Sequence, residues 1–242
     1  VFAIFRKEIN SFFNSLIAYI VMAAFLVTVG LIVWVFPQSN VLDYGYADMA
    51  VFFSFTPYVL LFLIPAITMR SLAEEYRNGT MELLLTKPIS NWALVFGKFL
   101  ANWFLVVITL LPTLLFYKSL DLLGNPPGNI DSAAVFGSYI GLLLLSAALV
   151  AIGLWTSSLN QNQIVAFVLG VFLGFVWFVG LGVLADLLGS GQLAFLFSWL
   201  ALDEQYSALG RGLIDSRNVV YLLSMTLFFL LLTHWRIQAL RN

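Results

Sequence analysis

Residues 16–36 read LIAYIVMAAFLVTVGLIVWVF, an unbroken apolar run without Asp, Glu, Lys or Arg. A helix rising about 1.5 Å per residue needs roughly 20 residues to cross a hydrocarbon core, so this run is long enough to span a membrane. It also exceeds the roughly 7–15 residue core of a signal peptide, and no small-x-small cleavage site follows it. The run is therefore expected to persist as a helix. Working outward, residues 49–69, 99–117, 133–156, 164–185 and 219–235 are likewise free of Asp, Glu, Lys and Arg. Allowing Lys98 to snorkel near the start of the third helix, the predicted spans are about 16–36, 49–69, 93–117, 133–156, 164–185 and 218–235.

The composition of the 242 residues agrees: 62% are hydrophobic, 10% are charged, and the mean hydropathy is +0.98. Soluble domains average about 25% charged residues. The absence of cysteine excludes disulfides, thiolate metal sites and cysteine nucleophiles. A formal net charge of −1 argues against a nucleic-acid partner, which calls for a basic surface.

Charge placement orients the chain. With the N-terminus placed in the cytoplasm, the inner segments hold eight basic residues: Arg6, Lys7, Arg70, Arg77, Lys87, Lys98, Arg236 and Arg241. The outer segments hold three, Lys118, Arg211 and Arg217, beside eight acids: Asp43, Asp48, Asp121, Asp131, Asp186, Asp203, Glu204 and Asp215. The positive-inside rule then predicts both termini in the cytoplasm.

Ahead of the first span, Phe2, Phe5, Ile9, Phe12, Phe13 and Leu16 recur at helical spacing with Arg6 and Lys7 on other faces. This predicts an amphipathic helix over 1–15, lying in the inner interface of the bilayer. Pro37 ends the first span, and Asp43 to Asp48 with Gly45 form a short outer turn. Pro57 and Pro65 are expected to kink the second span. Residues 70–92 make the longest inner connection, with a stop at Asn78-Gly79, Thr80 capping a second short helix, Lys87-Pro88 ending it, and Ser90 capping the third span. Gly124-Asn125-Pro126-Pro127-Gly128 is a turn-rich outer linker, and residues 157–163 are a tight polar turn. In the outer segment 188–217, opened by Gly189-Ser190-Gly191, the apolar stretch from Leu193 to Leu202 is too short to span and suits a re-entrant or interfacial helix.

Several chemistries are missing. Gly97-Lys98 is followed by Phe99 and lacks the upstream glycine of a phosphate loop, so the chain itself is not expected to hydrolyse nucleotide. The single histidine, His234, reads as an interfacial residue beside Trp235 and Arg236, and neither a catalytic pair nor a cluster of metal ligands appears. No catalytic, cofactor-binding or metal-binding residue is predicted. Within the spans the polar groups are mainly Thr28, Ser54, Thr56, Asn102, Thr109, Ser146 and Thr226, read as hydrogen bonds between helices. A transporter without internal charges draws its energy from elsewhere. Close-packing glycines occur in span four (Gly137, Gly141) and span five (Gly170, Gly174, Gly180, Gly182); the Gly170 and Gly174 face, with span one, is predicted to lie at or near a contact between two subunits.

The stretch from Glu74 to Ser90, Glu-Glu-Tyr-Arg-Asn-Gly-Thr-Met-Glu-Leu-Leu-Leu-Thr-Lys-Pro-Ile-Ser, followed by Gly97-Lys98, resembles the segment after the second span of ABC-2-type transporter permeases. Six spans, an amphipathic start and a long last outer loop match that family over essentially the whole chain. The stretch from Gly212 to Leu222 is most similar to the gliding-motility-associated permeases of the GldF type. The resemblance implies a single ABC-2 transmembrane domain over 1–242. The fold is then an all-α integral membrane protein with six transmembrane helices, an N-terminal interfacial helix, a cytoplasmic coupling segment at 71–89, and short outer or re-entrant helices before the last span. It further implies that Glu74, Glu75, Arg77, Thr80, Met81, Glu82 and Leu84 dock on a separate ABC ATPase, two copies of which carry ATP and Mg. A second permease, the same or homologous, would complete the assembly in the bacterial inner membrane. A structural anchor for a larger envelope machine would use the same spans without a moving coupling helix, and a passive channel would require a lined pore that these spans do not show.

Overall fold

A computed structural model describes residues 1–37, 39–43, 47–86, 89–189, 191–210 and 215–241, with the backbone alone at Leu83 and Leu85. Gly45, the stop at Lys87-Pro88, Ser190, Arg211 and the Gly212 to Ile214 part of the outer motif lie outside the described residues. The fold is all-helical among the described residues, and six of its helical segments are long and apolar enough to cross a membrane.

The chain opens with α1 (Phe2–Phe13), breaks at Asn14 and Ser15, and enters the first span as α2 (Leu16–Trp34). The Ser15 hydroxyl accepts from the Ile17 amide at 3.3 Å, capping α2 as a serine at a helix start is expected to do. The second span is α3 (Ala50–Thr68), followed by the short helices α4 (Ala73–Arg77) and α5 (Thr80–Thr86). The third comprises α6 (Asn91–Leu110), a 3-10 turn at Leu111–Thr113 and α7 (Leu114–Leu123), so it runs six residues past its predicted end. Pro112 tightens the turn without ending the span. The fourth is α8 (Ser132–Leu159); the fifth is α9 (Gln163–Phe175), a π-helical turn at Val176–Gly180 and α10 (Leu181–Leu188). Two short helices, α11 (Gln192–Leu200) and α12 (Leu202–Leu209), precede the last span, α13 (Ser216–Arg241). The apolar outer stretch is thus helical, and α11 folds back on α10 after a turn in which Gly189 adopts φ +67. We call the end gathering α1, α4 and α5 the basal end and the opposite one distal.

The bundle is built around α8. Of its most apolar window 78% is buried, against 22% for α2 and for the fifth span, and α3, α6, α9, α12 and α13 pack on it. Helices in lipid gain little from hiding apolar surface from one another, so close contact and polar satisfaction decide their arrangement. Glycines supply the contact. A Cβ at Gly170 would stand 3.1 Å from Pro65 Cβ, and one at Gly174 would stand 3.0 Å from Leu61 Cδ2; both glycines are buried. They join span five to span two inside the subunit, so their close approach is to the chain's own helices, whereas the sequence placed their face at or near the contact with a second permease. Gly153 presses on Thr68, and Gly141 on Tyr206 and Leu209, in the same way.

The polar groups in the spans mostly bond within their own helix instead of across helices. Ser54, Thr56, Thr109 and Thr226 each donate to the carbonyl four residues back. Exceptions are Asn102, discussed below, and Ser146, whose hydroxyl accepts from Trp103 Nε1 at 3.2 Å. Helix α3 continues through both prolines. Pro57 has no amide to offer the Phe53 carbonyl, and the Tyr206 hydroxyl of α12 donates to that oxygen instead, at 2.8 Å. Outer segment and second span are joined at the point where the helix lacks its own bond.

Candidate functional site

The segment that the sequence predicts to couple is built from very short helices. Helix α4 has five residues, well below the length at which an isolated helix persists in water. Its local sequence helps: Glu74 and Glu75 lie in the first turn and Arg77 in the last, each sign favourable to the helix dipole. Arg70 Nε lies 3.8 Å from Glu74 Oε2 one turn away. The Asn78 amide bonds to the Glu74 carbonyl and Gly79 takes φ +68, turning the chain into α5. Thr80, expected to cap α5 from outside, is its first residue, and its hydroxyl donates back to the Glu75 carbonyl at 3.3 Å.

What anchors α4 is a set of buried polar contacts with other elements. Ser157, fully buried at the end of α8, accepts from the amides of Leu72 and Ala73 at 3.0 and 3.1 Å and donates to the Met69 carbonyl at 3.0 Å. It thus acts as an N-cap supplied from another span. Lys98 of α6 is 1% exposed. Its Nζ lies 2.9 Å from Glu8 Oε1 of α1, 3.0 Å from Glu75 Oε1 of α4 and 2.6 Å from the Ser71 carbonyl. Lys7 adds a second cation 3.2 Å from Glu75 Oε1. One turn along α6, Asn102 accepts from the Ser71 hydroxyl at 3.0 Å and donates to the Lys98 carbonyl at 2.7 Å. At the same end α13 is strapped to the start of α6, where His234 stacks on Trp92 at 4.3 Å and Arg241 donates to Asn91 Oδ1 and the Ile89 carbonyl.

This geometry sorts the residues predicted to dock on an ATPase. Arg77, Thr80 and Glu82 are exposed at the tip, with Glu74 partly exposed on the flank. The Glu75 carboxylate turns inward to Lys98 and Lys7, Met81 is 3% exposed, and Leu84 packs against the core, so these three hold the segment onto its own chain. Lys98 does not snorkel as expected, because acids brought by α1 and α4 meet it within the protein. Sequence reasoning missed Glu8, Ser71 and Ser157 as site residues. One signal was available: Glu8 and Lys98 each sit in or beside strongly apolar sequence, where charges persist in opposite-sign sets.

The distal end holds a cavity of about 700 Å³ lined by Phe53, Ser54, Tyr58, Asp131, Asp203 and Tyr206 among others. Burial raises the Asp203 pKa, with Glu204 adding to it, and burial followed by Asp203 raises that of Tyr206. Among the described residues no three His, Cys, Asp or Glu side chains are placed to hold a metal. An apolar groove of about 560 Å³ runs between α2 and α3, with Tyr58 lining both it and the distal cavity.

The family model described as ABC-2 family transporter protein matches residues 35–235, from the end of α2 into α13. No curated protein matches the chain. With a match over most of its length, six apolar helices around α8 and a compact helix pair at the basal end, the chain belongs to the ABC-2 family of transporter proteins and is a multi-pass membrane permease of an ABC transporter, a family that works with an ABC ATPase.

Proposed function

We propose that this permease couples ATP hydrolysis on a separate ATPase to translocation or conformational work across the membrane, with α4 and α5 as its coupling segment. The observation that carries this reading is the contrast between the two ends of that segment. Its base is fixed by Ser157 and Lys98, and its tip, Arg77 to Thr80 with Glu82, is exposed. A lever needs both features: a rigid attachment to the spans and a free surface for the partner. Exposed charges of both signs suit charge-assisted hydrogen bonds across the docking contact. ATP and Mg belong to the ATPase, taken as two copies. A second permease, the same or homologous, covers the outward faces of α2 and α9, the most exposed of the spans. The eight-to-three distribution of basic residues supports a basal end in the cytoplasm of a bacterial inner membrane. The sequence from Gly212 to Leu222 supports a gliding-motility-associated permease of the GldF type.

The test is co-expression with a candidate ABC ATPase subunit, followed by reconstitution in lipid. Arg77→Glu with Glu82→Lys reverses two exposed charges and leaves the buried network alone. The expected result is normal insertion with at least a tenfold loss of ATPase stimulation, or loss of co-purification. Full stimulation by the double variant would place the coupling surface elsewhere. A wild-type complex whose ATPase rate ignores the permease altogether would favour the structural anchor.

A further inference from the structure

We infer that Lys98 is a positioning residue that joins the N-terminal helix to the coupling segment, so that α1 and α4 move as one unit on span three. The inference rests on α4 and α5 being the coupling segment, and adds α1 to the moving part.

An ammonium group has three protons to donate, and here each finds an acceptor on a different stretch of chain. Glu8 comes from α1, Glu75 from α4, and the Ser71 carbonyl from the link between α3 and α4. With Lys7 against Glu75, two cations and two anions meet, and Lys98 keeps both carboxylates only when α1 and α4 are both in place. Withdrawing α1 would leave Lys98 on Glu75 alone and withdrawing α4 would leave it on Glu8 alone, in either case stripping one of three acceptors from an ammonium that is 1% exposed. An unmet donor on a buried charge is costlier than one in water, so separation of the two helices is suppressed more strongly than their joint movement.

The backbone is arranged to bring α1 this close. A Cβ at Gly97 would fall 2.8 Å from Ile4 Cβ and 3.1 Å from the Val1 carbonyl, so only glycine leaves room for α1 there. Ile4 and Glu8 are one turn apart on the same face of α1 and are its two buried residues. Gly97 receives Ile4, and the next residue, Lys98, receives Glu8. Adjacent residues of α6 thus fix both the depth and the register of α1. On the membrane side of this contact, Phe5 packs edge-on against Phe104 at 5.7 Å. A helix held only by a lipid surface would need none of these contacts.

The chain has no cysteine, so spin labels can be placed at Ser11→Cys on α1 and Asn78→Cys beyond α4, both exposed. Distances are read by pulsed electron resonance in nanodiscs, and ATPase stimulation is measured on complexes without labels. In the wild-type chain one narrow distance is expected, unchanged between nucleotide-free and ATP-locked complexes. Glu8→Gln with Lys98→Met removes one cation and one anion and leaves Lys7 paired with Glu75. It is expected to at least double the width of the distribution and to reduce stimulation about tenfold while the ATPase still co-purifies. Glu8→Gln alone keeps an acceptor for Lys98 and should give a smaller broadening; Lys98→Arg, which keeps the charge, should restore a narrow one. If the double variant fails to insert, the Glu8→Gln distribution decides alone. Wild-type widths in the variants would overturn the inference, as would a wild-type distance that shifts with nucleotide. The distance arm needs no stimulation, so failure of the coupling reading leaves the α1–α4 linkage separately measurable.

Discussion

Ser157→Ala offers the sharpest test of how the proposed coupling segment is held. The hydroxyl it removes is fully buried, accepts from two amides and donates to one carbonyl. Alanine fits the space, so the change creates little void and mainly strands the Leu72 and Ala73 amides at the start of α4. Each buried, unsatisfied group costs about 1–3 kcal/mol. Two such groups would cost about 2–6 kcal/mol, and with one of them partly relieved by turning toward water the site should lose roughly 2–4 kcal/mol of local stability. At about 1.4 kcal/mol per factor of ten, α4 should open about 30-fold to several-hundred-fold more often. Amide hydrogen exchange in nanodiscs reads this directly, at the Tyr76 and Asn78 amides that bond within the segment. Ser158→Ala is the control, because that hydroxyl is also buried and bonds only to the Trp155 carbonyl of its own helix. Exchange of residues 72–78 within about threefold of wild type would refute the claim that Ser157 anchors α4.

Two further outcomes follow from contacts at the distal end. Tyr206→Phe removes the donor to the Phe53 carbonyl and should lower stability by about 1–3 kcal/mol; Pro57→Ala in that background supplies an amide at residue 57 and should recover most of the loss. Thermal unfolding of both single variants and the double variant in detergent reads the coupling, and an equal cost of Tyr206→Phe in both backgrounds would refute it. Asp203 has a pKa raised by burial and by Glu204, so its ionised form is the one the fold disfavours. Its contribution is therefore fully present below the ordinary carboxylate value of about 3.9 and is lost as pH rises through the raised value. Asp203→Asn should raise Tm at pH 7.5 and lose that advantage toward pH 3.5; a Tm difference independent of pH would show that Asp203 titrates as an ordinary surface acid.

The spans were legible because lipid imposes one requirement, an apolar helix of sufficient length, and residues 16–36 or 133–156 meet it without reference to anything distant. Their partners were not legible by that route. Gly170 and Gly174 announce close packing, but periodicity cannot say whether Pro65 and Leu61 of the same chain or another subunit fills the gap. Asn78-Gly79 located the turn of the coupling segment because Gly79 must take positive φ there. Lys98 was misread for a physical reason: a lysine about 12 Å along a helix from Ser90 can reach the interface on its own stem, and only the fold brings Glu8, ninety residues earlier in the chain, within 2.9 Å. Ser157 carries no sequence signal at all, since a serine at the end of a span ordinarily bonds back within its own helix, as Ser158 does.

If α4 and α5 couple as proposed, the two kinds of contact in this bundle divide that work. Apolar faces in lipid resist separation weakly and permit sliding, which suits spans that must change their packing. Directional bonds resist rotation, and they concentrate at the basal end. Helix α4 is too short to hold itself, so its orientation is that of the groups holding it: Ser157 on α8, Lys98 on α6 and, through Lys98, Glu8 on α1. A displacement of the exposed tip therefore enters the bundle at three helices at once. From α1 it has only Asn14 and Ser15 to cross before reaching α2, and α2 is one of the two spans with most of its surface uncovered. The N-terminal helix thereby offers the shortest covalent route from the proposed coupling segment to the face proposed to meet the second permease. A coupling segment fixed by apolar contact alone would have no comparable means of directing force to that span.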